Sequence, residues 1–325
     1  MRDFKTKLRK TEKTALFFTL LLLLLLGSSR ISVGVAKASG EMVKQRNRCY
    51  IEIQKEPDNT IDVLVLGDSE SYTTISPLQL WKNQGIPAFL CGQAGQKMQE
   101  TYFMLRTALD TQSPKVVLLE THALFNREHS LGVWQSTLRE AGNYLFPIFR
   151  MHDLWKAPLT GKRYSGKSYK GFEVRPAVQP YQGGEYMHPT EEKEAIPDYA
   201  VFYLKQMINL CRRNHAELVL YSGPSPVNYS YRRHNGLQEL ADSCGLAYID
   251  LNLKQKELKI DWSKDTLDKG DHLNISGAEK VTAYMERYLK ENYDLDDKRE
   301  NEAYKDWNRE AENFEKYCKI PSDMG

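Results

Sequence analysis

Between residues 59 and 295 short apolar runs alternate with longer segments in which apolar side chains return every three or four positions. Ile61–Leu66 is apolar at every position but Asp62, as expected of a strand buried on both faces. Ala88–Cys91, Lys115–Glu120 (entered from Pro114), Ala216–Tyr221 and Leu246–Leu251 repeat the pattern. The intervening stretches carry a helical period over Met98–Leu109, Tyr199–Arg213, about Gly236–Ser243, and from Ser276 to about Tyr293, where Ser276 and Glu279 have the spacing of a capping box. Strands alternating with helices predict a five-stranded parallel sheet with right-handed crossovers, an α/β fold in three layers, α/β/α. Such sheets bind ligands at the carboxyl ends of their strands. Gly67-Asp68-Ser69, Gly92-Gln93 and Glu120-Thr121-His122 all fall at such ends.

Three regions depart from the alternation. The connection from Thr121 to Ala216 is too long for one crossover, and a structureless loop of that length is uncommon in a compact domain. Residues 126–196 are rich in Tyr, Trp, Pro and Gly and are expected to form an inserted subdomain or lid over the strand ends. Residues 296–325 place Tyr304, Trp307, Phe314 and Tyr317 at near-helical spacing, which predicts a docked terminal helix. At the other end, Arg2, Lys5, Lys7, Arg9, Lys10 and Lys13 precede an apolar stretch holding seven consecutive leucines, Leu20 to Leu26. A basic flank followed by an apolar core reads as an export signal, placing the bulk of the chain outside the cytoplasm. Residues 1–39 are expected to be an uncleaved membrane anchor. The alternative is secretion after cleavage near Ala38. Residues 40–58, polar and charged, are expected to be a tether or a lead-in helix.

Composition narrows the function classes. The 325 residues carry 45 basic and 43 acidic side chains, so no net charge argues for nucleic acid as a partner. Cys49, Cys91, Cys211, Cys244 and Cys318 are odd in number and lack CxxC spacing, so neither a zinc site nor a disulfide framework is expected. No cofactor and no metal is expected.

The chemistry-bearing residues suit an activated hydroxyl. A serine becomes a nucleophile when a base takes its proton and a third group orients that base. Ser69 follows the first strand and precedes a polar turn. His272 is preceded by a loop carrying Asp265, Asp268 and Asp271, and it alone among the histidines has such a neighbourhood. The orienting acid is Asp268 or Asp271, with Asp268 favoured because an immediate neighbour generally points away. His122, with Glu120 and Thr121, is placed to line a substrate pocket.

Gly-Asp-Ser after the first strand, with Gly270-Asp271-His272-Leu273-Asn274 late in the chain, resembles the SGNH/GDSL hydrolase superfamily. Members usually carry Asp three positions before the histidine, where this chain has Lys269. Asn59–Ser69, Ile75-Ser76-Pro77 with Leu80-Trp81, Gly85-Ile86, Gly92–Gln96 and Gly270–Ala278 are similar to a membrane-anchored branch related to the D-alanyl transfer protein of teichoic-acid operons and to polysaccharide O-acetylation proteins. The resemblance implies a flavodoxin-like sandwich, a Ser-His-Asp triad, and acyl transfer or ester hydrolysis on O-acyl groups of a cell-envelope polysaccharide. It implies an oxyanion held by the N–H of Ser69 and of Gly92 or Gly95, and a further asparagine after the third strand that this chain lacks. It further implies a cell-surface glycan as substrate and a membrane-bound O-acyltransferase as a candidate partner. The alternative is a glycan-binding or scaffold protein that serves such a transferase without doing chemistry.

Overall fold

The computed structural model describes residues 2–161, 163–164 and 168–318. Met1 and the last part of the expected tail, 319–325, lie outside the described residues. Five strands form one parallel sheet in the order β2-β1-β3-β4-β5.

In chain order the elements are α1 (Arg2–Ala38), α2 (Gln45–Glu52), β1 (Val63–Gly67), α3 (Ser69–Tyr72), α4 (Pro77–Gln84), β2 (Ala88–Gly92), α5 (Met98–Leu109) and β3 (Val116–Glu120). There follow α6 (Ser130–Leu145), α7 (Lys156–Thr160), α8 (Asp198–Arg213), β4 (Glu217–Ser222), α9 (Tyr231–Cys244), β5 (Ala247–Asp250), α10 (Gln255–Leu258), α11 (Ile275–Asn292) and α12 (Lys305–Cys318). The strands fall where the apolar runs predict. Every residue of β1, β2 and β3 is buried, because two helical layers sandwich the sheet and leave no face for solvent. One core layer gathers Leu64, Leu66, Phe89, Val117 and Leu119 under α5 and α8; the other gathers Val63, Val65, Leu90, Val116 and Leu118 under α11.

Alternation puts the Gly-Asp-Ser turn at the carboxyl edge of the sheet, between the ends of β2 and β3. Gly67 pairs in register with Gly92 of β2, and Leu66 with Leu119 of β3.

The flanking regions differ from expectation in instructive ways. Residues 40–58 are no tether: Cys49 and Tyr50 of α2, with Ile53, enter the main core. Helix α11 is capped by Asn274, whose side chain accepts from Gly277 N, rather than by Ser276. The Ser276 hydroxyl donates instead to Asp265, 2.7 Å away. The expected insert is two helices followed by a strap. Among the described residues between α7 and α8 there is no helix or strand, and the chain holds its course by borrowing backbone partners. Lys170 O accepts from Leu90 N at 2.9 Å, and Arg175 O from Ile275 N at 2.9 Å. Gly171 sits at φ +92°, and a side chain there would collide with Leu90 O, so the strap can lie this close to β2 only as glycine.

Helix α12 packs on α4, with the Trp81 ring 5.3 Å from those of Tyr304 and Trp307, as the aromatic spacing of the tail predicts. All five cysteines are unpaired, and Cys49, Cys91 and Cys211 are buried core residues. Thr11–Ala38 is one helix long and apolar enough to cross a membrane, near the N-terminus. Its far end is gripped by the domain: Ser29, Ser32 and Ala36 are buried, Ala36 beside Met151 and Leu154.

Candidate active site

Helix α3 begins immediately after β1, and the turn that joins them is tied by its own side chain. Asp68 accepts from Glu70 N with one carboxylate oxygen, which caps the helix. This fixes Ser69 at the first helical position, half-buried at the sheet edge, and among the described residues its hydroxyl makes no hydrogen bond. Gly92 lies directly beside this turn; a side chain there would meet Ser71 Oγ and Asp68 O, so the backbone of β2 can approach the nucleophile turn only without one. Gly95, at φ +61°, lies in the following turn with open space around it.

The distant histidine arrives on a hairpin. Thr266 and Leu273 bridge antiparallel, and Lys269 and Gly270, both at positive φ, turn the tip back. That turn carries Asp268 across to His272. Its carboxylate accepts from the backbone N–H of His272 at 2.7 Å and meets the ring Nδ1 at 2.8 Å. With Nδ1–H committed to the carboxylate, Nε2 bears the lone pair that takes a proton. Asp271 stands 3.7 Å from the same Nδ1, and its carboxylate is instead bonded by the Asn228 amide.

Asn228 links the two halves of the site. Its Nδ2 donates to Glu70 Oε1 at 2.7 Å as well as to Asp271, so the hairpin is docked on the first turn of α3. Ligand atoms of Glu70, Asp271 and His272 consequently lie within 4.8 Å of one another. Burial, reinforced by the Glu120 and Asp68 carboxylates, raises the pKa of Glu70 well above the carboxylate range.

The third strand end contributes a second histidine pair. His122 Nδ1 lies 2.6 Å from the other Asp68 oxygen, and its backbone N–H donates to Glu120. Burial opposes the charged imidazole, but the Asp68 carboxylate and then Glu120 outweigh it, and the His122 pKa is raised. Burial and the Asp68 charge push Glu120 up to about 8. Of the three residues expected to line a pocket, Glu120 and Thr121 are buried and only His122 is half-exposed. Thr121 points inward: its hydroxyl bonds Ser222, Ser222 bonds Tyr248, and Tyr229 bridges Tyr248 to Asp250, which holds His234.

A cavity of about 630 Å³ opens beside the turn, lined by Tyr72, Gly92, Gln93 and Ala94 from the sheet edge, Arg46 and Arg48 from α2, and Tyr169, Phe172, Glu173 and Arg175 from the strap. Neither Ser69 nor His272 lines it. Arg46 anchors its rim by donating to Ala94 O and to the Glu100 carboxylate. Sequence reasoning missed Asn228, Asp68 and Arg46 because each acts by joining segments far apart in the chain; only Asp68, adjacent to Ser69, had a positional signal.

No family model matches the chain, and no curated protein matches it. Among solved structures it is similar to a GDSL-like lipase from Bacteroides thetaiotaomicron (13% identity, TM-score 0.40, 77% of this chain and 98% of that one). It is likewise similar to a lipase/acylhydrolase from Enterococcus faecalis (14%, 0.40, 73% and 98%). A third similar structure is a catalytic mutant of an acetylxylan esterase from Geobacillus stearothermophilus (11%, 0.39, 74% and 98%).

Proposed function

We propose that this protein is an extracytoplasmic serine esterase or acyltransferase acting on O-acyl groups, acetyl above all, of a cell-envelope polysaccharide. The observation that supports the reading is the Asp268–His272 pair, on a hairpin that Asn228 ties to Glu70, the residue after Ser69. In the proposed reaction His272 Nε2 takes the proton of Ser69 Oγ as the hydroxyl attacks the acyl carbonyl. Asp268 holds the imidazole in the required tautomer and stabilises the imidazolium that forms. The developing oxyanion is met by the N–H of Ser69 and by the backbone of the Gly92–Gly95 turn. His272 then returns the proton to the departing alkoxide, leaving an acyl-serine. Water reaching that intermediate gives hydrolysis, and a sugar hydroxyl gives transfer.

The apolar helix Thr11–Ala38 supports an uncleaved anchor that keeps the domain at the membrane surface, where a glycan substrate and a membrane-bound O-acyltransferase partner would both be met. A second reading, a glycan-binding partner of such a transferase that performs no chemistry, is favoured by one observation, the absence of a hydrogen bond on Ser69 Oγ among the described residues. Catalytic hydrogen bonds are often long before substrate binds. Trapping with a small activated acetyl ester and mass spectrometry separates the two: an acetyl group on Ser69 supports the enzyme, and an unmodified Ser69 sinks it.

A further inference from the structure

Helix α6 is amphipathic the wrong way round. Its inward face is polar, with Ser136 and Glu140 buried, Glu140 bound by Arg139 and Arg150, and Thr137 bonded to the Tyr203 hydroxyl at 2.7 Å. Leu131, Trp134, Leu138 and Leu145 lie on the opposite side in one narrow stripe, each 60–69% exposed. Trp155, just before α7, and Leu159 on it are as exposed, at 62% and 76%. A surface helix ordinarily turns polar residues outward, and a contiguous apolar patch marks something that covers it.

The fold says what that is. The chain between α6 and α7 is the segment that grips the end of α1: Ile148 N approaches Ser29 Oγ at 3.4 Å, and Met151 and Leu154 bury Ala36. Thr11–Ala38 rises about 42 Å as a helix, against a hydrocarbon thickness of about 30 Å, so the bilayer boundary falls near Ile31, at the level of the grip. Ile31 and Val35 remain exposed on the free side of α1 at that level. Indole rings favour the zone between headgroups and acyl chains; Trp134 is on the stripe, and Trp155 is exposed at the start of α7, next to the segment that grips α1.

We infer that α6 and α7 lie in the outer interfacial layer of the bilayer that α1 crosses, so that the domain is seated on the lipid surface and not merely tethered to it. This rests on the anchored reading of α1. Insertion of an apolar helical face into that layer needs no further partner.

The test uses the full chain reconstituted in phosphatidylcholine vesicles with bromine at shallow acyl positions, compared with unbrominated vesicles. The chain is expected to float with the vesicles and its tryptophan emission to be quenched by bromine. In a Trp134→Phe, Trp155→Phe variant that quenching should be lost, since Trp81 and Trp307 are buried and Trp262 packs against Tyr181 and Tyr186 of the strap. A Leu131→Asp, Leu138→Asp variant should float and melt like the native chain while Trp134 loses its quenching, because both positions are exposed in the fold. Failure to float would overturn the anchoring and the seating with it. Flotation with equal emission in both vesicle types, as when a protein or water covers the stripe, would overturn the seating alone, and so would quenching that survives loss of both tryptophans.

Discussion

Asp268 holds His272 at two points, accepting from the backbone N–H at 2.7 Å and meeting Nδ1 at 2.8 Å. A lysine occupies the position one residue closer, and the left-handed Lys269 with Gly270 closes the turn that lets an acid four residues back reach the ring. Asp271, with its carboxylate engaged by Asn228, is not placed to do the same work.

Asp268→Asn is therefore expected to lower kcat on an activated acetyl ester by about 10⁴, the size of effect seen when a triad acid is replaced by its amide. Asp271→Asn should lose far less. Steady-state kinetics of both variants check the ranking, and the opposite order would move the orienting role to Asp271.

Ser69→Ala should abolish turnover and leave the melting temperature within a few degrees. The hydroxyl makes no hydrogen bond among the described residues and the side chain is only half-buried, so its removal disturbs little packing. Undiminished activity would exclude Ser69.

Glu120 makes stability fall as pH rises. Its carboxyl is pushed up to about 8 in the fold, against an ordinary value near 4.5 in the unfolded chain. Between those values the native state holds a proton that the unfolded state has released, so its contribution is full below about 4.5 and lost as pH rises through about 8. The raised pKa of His122 acts in the same direction at the alkaline end. Urea midpoints measured across this range should decline in the native protein and decline less in Glu120→Gln, whose amide oxygen can still accept from His122 N.

Deleting residues 1–28 should yield a soluble domain of native stability, whereas deleting 1–39 should lower it by about 1–3 kcal/mol by uncovering Met151 and Leu154. Denaturant titration of the two truncations decides this, and equal midpoints would show that the grip on α1 contributes nothing.

The sheet was legible in the sequence because burial on both faces compresses a strand into an apolar run, as in Val63–Leu66. Ser69 and the Asp268–His272 hairpin were legible through residue type and position after a strand or before a helix. Packing that reverses local expectation was not. Helix α6 turns its apolar residues outward, so its pattern could be read as an insert but not oriented. Both Asn274 and Ser276 are good caps, and only the tertiary pull of Asp265 on Ser276 decides between them. Asn228 bonds Glu70 and Asp271 from a loop whose own sequence carries no sign of either.

The strap has a kinetic consequence. Its backbone partners come from Tyr72 and Leu90 at one end of the chain and from Trp262, Thr266, Lys269 and Ile275 at the other. All of these contacts are long-range, and contacts of such sequence separation are slow to close. Gln179 bonds both Thr266 and Lys269, so the hairpin bearing His272 reaches its final position in the same late step. On refolding, recovery of ester turnover should trail recovery of the sheet.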